Sequence, residues 1–223
     1  MMGAVNMAEP VIGVFAGLEI APGNLYYDGS RYKIKDSWNY DSYNSIYGVE
    51  AGSYYFAYSD ISSISVAYDD KQWRLPTMKE WNKILTTSSN VRAGSTVNGS
   101  VNKHYACIEV TGVTHAGRNS PYGILIFPDN CNITGASLSS IDSASLAKGI
   151  TAVQLHNYLR QGCIFLPGSG YYYSSRWING GTDVDYWSSD WNNRIRYHSG
   201  KTLLLSGSAT SDTFLTARLV RTF

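Results

Sequence analysis

A chain of 223 residues, 43% of them hydrophobic, is long enough to bury a core and too apolar to be a disordered segment. The formal charge is +1 and no run of Lys or Arg forms a stripe, so the electrostatic footprint of a nucleic-acid binder is missing and no nucleic-acid partner is expected. The three cysteines, Cys107, Cys131 and Cys163, are widely spaced and form no Cys-x-x-Cys pair. They give no support to a zinc site or thioredoxin-like chemistry and allow at most one disulfide.

In chain order, the first apolar run is VIGVFAGL, residues 11–18, which predicts a strand. No basic n-region precedes it and it is too short to span a bilayer, so neither a signal peptide nor a transmembrane segment is visible in this chain. Next, β-prone runs at 25–27 and 32–34 flank Asp28-Gly29, a hairpin-turn pair. A polar aromatic stretch through Tyr58 reads as loop. After Pro76, Thr77 and Glu80 have the spacing of a capping box, and Trp81, Ile84 and Leu85 make one apolar helix face.

Residues 105–113 and 122–127 read as strands. Thr151 and Gln154 cap a second predicted helix over 152–161, with Leu155, Tyr158 and Leu159 on its apolar side and Gly162 as its stop. CIFLP then reads as a buried strand. In the last third, YWSS, IRYH, KTLLLS and TFLTARLVR predict antiparallel strands, with Ser199-Gly200 as a tight turn. Two helices between a terminal hairpin and a C-terminal meander predict an α+β fold. With no repeat and no linker, residues 1–223 read as one domain.

The segments WRLPTMKEW (73–81), YGILIFPD (122–129), IFLPGSGY (164–171), YWSS (186–189) and ARLVR (217–221) occur in the order found in a known family, with IAPGNLYYDG (20–29) as its opening strand. Together they resemble the Fibrobacter succinogenes major paralogous domain family of Bacteroidetes surface proteins. The resemblance implies a C-type-lectin-like fold of the formylglycine-generating-enzyme kind, with the N- and C-terminal strands paired and two helices packed on them. It also implies a separate loop-and-strand region for ligand. Trp73, Leu75, Trp81, Phe165 and Trp187 are then expected in the core. Proteins diversified by retroelements, in phage tail tips and bacterial surface receptors, look similar in plan, and residues 168–200 resemble their variable segment in composition and position.

The 18 tyrosines and six tryptophans concentrate this reading on the C-terminal third. Tyr and Trp give rigid, amphipathic contact area at low entropic cost, and with Arg they dominate binding hot spots. The candidate ligand-binding residues are Tyr171, Tyr172, Tyr173, Arg176, Trp177, Asn179, Asp183, Asp185, Asp190, Trp191, Asn192, Asn193, Arg194, Arg196, Tyr197 and His198. Of these, Trp177 and Trp191, flanked by polar residues, are expected to be exposed. The bland alternative is that the aromatics wedge loops together.

No catalytic residue, metal or cofactor is assigned. Formylglycine generation needs two nearby cysteines for copper, and the C-terminal third has only Cys163. SGKT at 199–202 lacks the glycine a phosphate loop requires, Gly168-Ser169-Gly170 lacks the spacing of a nucleophile elbow, and the four histidines show no ligand spacing. Asp183, Asp185 and Asp190 raise a calcium-dependent sugar site. The Glu-Pro-Asn triplet of calcium lectins is missing, however, and turn geometry explains the same residues. The expected function is non-enzymatic binding of a protein or glycan on another cell or host surface, placing the chain outside the cell, at its surface or on a phage virion. Two rival readings are a permanent assembly interface and an enzyme with an unrecognised site.

Overall fold

The computed structural model describes residues 13–38, 48–85, 96–99, 104–135, 147–198 and 204–223. Within them the chain is mostly β-sheet with three short helices, an α+β arrangement. The apolar run at 11–18 is two strands rather than one: β1 (Val14–Phe15) and β2 (Leu18–Ile20) turn back on each other through Ala16 and Gly17, whose φ angles are 55° and 80°. Residues 11 and 12 lie outside the described residues. β3 (Leu25–Tyr27) and β4 (Tyr32–Ile34) form the expected hairpin, where Asp28 Oδ1 accepts from the backbone of Ser30 and Arg31 at 2.9 Å each.

The expected loop through Tyr58 falls partly on residues 39–47, outside the described residues, and ends in a four-residue helix, α1 (Tyr58–Ile61). A hairpin of β5 (Ser65–Tyr68) and β6 (Lys71–Arg74) follows, turning through Asp69 and Asp70 at φ 53° and 55°. Helix α2 (Met78–Leu85) starts at the expected capping box: Thr77 Oγ1 accepts from the Glu80 amide at 3.1 Å, and the Glu80 carboxylate accepts from the Thr77 amide at 2.8 Å. Arg74 also grips that carboxylate, at 2.6 and 2.8 Å, which holds its pKa down at about 2.

β7 (Tyr105–Thr111) and β10 (Tyr122–Ile126) are the two expected strands, joined by a small hairpin of β8 (Thr114–His115) and β9 (Arg118–Asn119). β11 (Ala147–Thr151) leads into α3 (Ala152–Arg160), whose capping box joins Thr151 and Gln154 at 3.2 and 2.9 Å. β12 (Ile164–Pro167) is the buried CIFLP run. The remaining strands are β13 (Tyr171–Tyr173), β14 (Arg176–Ile178), β15 (Asp183–Trp187), β16 (Asn193–His198), β17 (Leu204–Ser208), β18 (Thr213–Phe214) and β19 (Val220–Thr222). The TFLTARLVR run is thus split in two, and the expected Ser199-Gly200 turn lies outside the described residues.

Five strands in the order β1-β2-β19-β6-β5 make the first sheet, where Val220, Arg221 and Thr222 oppose Ile20, Glu19 and Leu18. The N- and C-terminal segments are paired antiparallel, and backbone bonds from Ala21 to Leu219 and from Leu25 to Ala217 (2.9 Å each) extend the pairing. A second sheet, β11-β7-β10-β12, is antiparallel except where β11 runs parallel to β7.

The central core lies between these sheets, with Phe15, Leu18, Ile20 and Val220 from the first and Cys107, Ile124, Ile126 and Leu166 from the second. Trp81, Ile84 and Leu85 of α2 enter the same core, as do Val184, Tyr186, Ile195 and Tyr197 of the β15–β16 hairpin. A second cluster packs α3 and Phe165 against the far face of the second sheet, and a third gathers Trp73, Leu75, Phe56, Trp187, Leu215 and Leu219. Trp73, Leu75, Trp81, Phe165 and Trp187 are all buried, as expected. No helix among the described residues is long and apolar enough to cross a membrane.

Candidate recognition surface on the aromatic segment

Strand alternation sorts the candidate residues onto four faces. In β13–β14–β18, Tyr172 lies opposite Trp177 and Phe214, so these three share one face. That face is buried against Tyr54 and Tyr55: the Tyr55 and Tyr172 rings meet edge-on with centroids 5.0 Å apart. The Trp177 indole N–H donates to Ser169 O at 3.2 Å and lies 3.3 Å from the Tyr55 hydroxyl. Its ring covers Gly180, where a Cβ would sit 1.6 Å from an indole carbon, so only glycine fits there. Tyr172 is therefore core rather than surface, and Trp177 is half-buried rather than exposed.

Tyr171, Tyr173, Arg176 and Ile178 lie on the opposite face. Ser174 and Ser175 join the strands in a two-residue turn with both φ angles positive, 49° and 61°. Such type I′ turns favour Asn-Gly, because most side chains resist the left-handed region. Tyr173, Ser174, Ser175 and Arg176 are all exposed, Tyr173 to 41%.

The β15–β16 hairpin divides the same way. Val184 and Tyr186 on β15, with Ile195 and Tyr197 on β16, point into the central core, so Tyr197 is also removed from the surface. Asp183, Asp185 and Trp187 lie opposite His198, Arg196 and Arg194 on the other face. Trp187 closes this row at one end; its indole N–H donates to Phe56 O at 2.8 Å.

The four charged partners and His198 form a cross-strand ladder. His198 Nδ1 lies 2.5 Å from Asp183 Oδ1. Asp183 Oδ2 accepts from Asn179 Nδ2 at 2.9 Å and from Arg196 at 3.5 Å. Asp185 lies 3.3 Å from Arg194 Nη1 and 3.8 Å from Arg196 Nε, yet neither of its oxygens accepts a hydrogen bond from a described residue. Burial dominates and lifts the Asp185 carboxyl to about 6 against the pull of both arginines. Both guanidinium carbons lie 5.4 Å from the Tyr171 ring centroid, which ties β13 to the ladder by cation–π contact. Gly207 leaves room for the Arg194 stem, with Cγ 3.3 Å from where a Cβ would be.

The two aspartates and Arg194 are buried, whereas Arg196 and His198 are partly open. Asp183 and Asp185 thus neutralise arginines inside the protein and do not form an exposed oxygen cage. No group of three or more His, Cys, Asp or Glu among the described residues is placed to hold a metal ion. Asp190 is half-buried, and its carboxylate accepts the Met78 amide at the start of α2. Trp191, 65% exposed, tops the turn between β15 and β16. Asn192 sits there in the left-handed region at φ 54°, its carbonyl accepting from the Ala209 amide at 2.9 Å, and the Asn193 side chain donates from Nδ2 to Trp191 O at 3.2 Å. Asn179 is exposed beside the ladder.

Sequence reading missed the ladder as a unit, although DVDYW and NRIRYH both carry the period-2 signal. It also missed Tyr54 and Tyr55, whose contacts with Tyr172 span more than 100 positions of chain. A shallow depression of about 400 Å³, lined by Thr134, Gly135, Asn157, Arg160 and Gln161 at the end of α3, contains none of the candidate residues. No family model, curated protein or solved structure matches the chain.

Proposed function

We propose that the chain is a non-enzymatic recognition module of the C-type-lectin-like fold, allied to the Fibrobacter succinogenes major paralogous domain family and working at a cell surface or on a phage virion. The pairing of β2 with β19, the two longer helices and the irregular strand-and-loop region at 168–198 support the fold reading. One observation carries the functional reading: Tyr173, Arg176 and Trp191 stand exposed on hairpins whose opposite faces are locked into the interior. Large side chains held out from a rigid frame suit a binding surface, because little order remains to be imposed on contact.

The ligand is a protein or glycan met at these side chains. Combined Tyr173→Ala, Arg176→Ala and Trp191→Ala substitution should leave Tm within about 2 °C of the parent, since exposed changes alter stability by roughly 0.5 kcal/mol. It should also abolish whatever binding the parent shows on arrays of glycans and cell-surface proteins. Equal binding by parent and variant, or loss of folding in the variant, would remove the surface from this role.

A second reading, an enzyme, has Asp185 in its favour, because a carboxyl titrating at about 6 suits proton transfer. Against it, Asp185 is fully buried in the ladder, so a substrate would have to part the arginines to reach it. This reading demands a turnover that Asp185→Asn removes and the triple surface variant keeps.

A further inference from the structure

The outward layer of the candidate surface is cationic and aromatic, and its acids lie inside. Asp183 and Asp185 are fully buried, while Arg196 keeps 30% of its side-chain surface open. Its contacts with the two acids are long, 3.5 and 3.8 Å, so among the described residues most of its five-donor guanidinium fork has no partner. Arg176 is exposed beside Tyr173, and no described residue forms an ion pair with it. The carboxylates at the neighbouring turns are otherwise engaged: Asp190 holds the start of α2, and Asp212 accepts from the Thr210 hydroxyl at 2.5 Å. A hairpin that projects offers contact area without enclosure, which suits a protein surface better than a small solute that needs burial on most sides.

Resting on the recognition reading, we propose that the face of Tyr171, Tyr173, Arg176 and Arg196 docks a protein partner through a carboxylate-bearing segment. The partner's carboxylates take up Arg176 and the free donors of Arg196, and its aliphatic stems lie on the two tyrosine rings. A carboxylate arriving at Arg196 adds negative charge beside Asp185, so binding and protonation of Asp185 favour each other. The charged or titratable groups facing Asp185 are Arg194, Arg196, Asp183 and His198. Burial holds the Asp185 carboxyl near 6, so the association strengthens as pH falls from about 7.5 to about 5.5.

Poly-L-glutamate is a direct probe, with heparin and poly-L-lysine as comparison arms and the full chain immobilised. The parent should bind poly-L-glutamate, about tenfold more weakly in 300 mM than in 50 mM salt. It should not bind poly-L-lysine. Arg176→Glu should weaken the association about tenfold, whereas Arg31→Glu, an equal charge change on the exposed turn between β3 and β4, should retain it. Lowering the pH should strengthen binding several-fold in the parent and clearly less in Asp185→Asn. Equal weakening by Arg31→Glu would reduce the effect to net charge and overturn the inference. Preferential binding of heparin would assign the face to sulfated glycans and overturn it equally. Array binding that the triple surface variant loses, without any affinity for poly-L-glutamate, would sink the acidic partner and leave the recognition reading standing. Should Arg176→Glu fail to fold, the salt and pH dependence of the parent decide the matter.

Discussion

The two faces of the β15–β16 hairpin come from one alternation and meet opposite physical demands. Val184, Tyr186, Ile195 and Tyr197 fill the central core beside Trp81, where removal of apolar surface from water supplies the stability. One residue away along each strand, Asp183, Asp185 and Arg194 are also withdrawn from water, with Arg196 partly so, and there burial works against the charges. The first face needs shape and volume alone. The second survives because each carboxylate has an arginine within 4 Å, and because Tyr171 covers the guanidinium planes. Burial therefore does not mean one thing: fully buried Asp185 keeps a titratable carboxyl that burial lifts to about 6.

The sharpest way to test that contrast begins on the apolar side. Trp81→Ala should cost about 3–5 kcal/mol in urea unfolding, because α2 seals the core on which the hairpin rests. A loss under about 1 kcal/mol would show that the hairpin's apolar face is supported by something else. On the charged side, Asp185→Asn tests the desolvation argument. The folded carboxyl titrates near 6 against an ordinary 3.8, so the folded state holds this proton longer than the unfolded state does. Stability of the parent should therefore fall, by roughly 2 kcal/mol, as pH rises from about 4 to about 6, and Asp185→Asn should flatten that slope. Thermal melts of both proteins across that window check it, and identical slopes would place the carboxyl in a more solvated setting.

The smallest effect concerns the turn that presents Tyr173 and Arg176. Ser174→Asn with Ser175→Gly should stabilise the fold by about 0.5–1 kcal/mol, since the pair then suits the left-handed φ values already in place. Calorimetry showing destabilisation instead would mean that the serine hydroxyls contribute something the turn geometry alone does not.

Local signals in the chain were legible wherever neighbours in sequence are also neighbours in space. Thr77 with Glu80 and Thr151 with Gln154 mark helix starts because a capping box is closed within four residues. Asp28-Gly29 marks a hairpin for the same reason. The Ala16-Gly17, Asp69-Asp70 and Ser174-Ser175 turns were less readable, since alanine, serine and paired aspartates take positive φ only when the flanking strands hold them there. For Trp177 the polar neighbours suggested exposure, yet its partners Tyr55 and Ser169 come from elsewhere in the fold.

The sequence by itself determined the α+β class, the capped helices, the apolar segments that became the core and the alternation within DVDYW and NRIRYH. All of these follow from backbone geometry and the spacing of apolar residues over a few positions. Tertiary structure alone decided which side of each alternating strand would be covered. Tyr172 and Tyr173 are adjacent and chemically identical, yet one is interior and the other exposed, because Tyr55 and Phe214 meet only the first. The same holds for Asp185 and Asp190: one is buried among arginines from the opposing strand, the other lies at a helix start more than 100 positions earlier in the chain. Their different roles are set by long-range neighbours, and therefore by how the sheets are brought together.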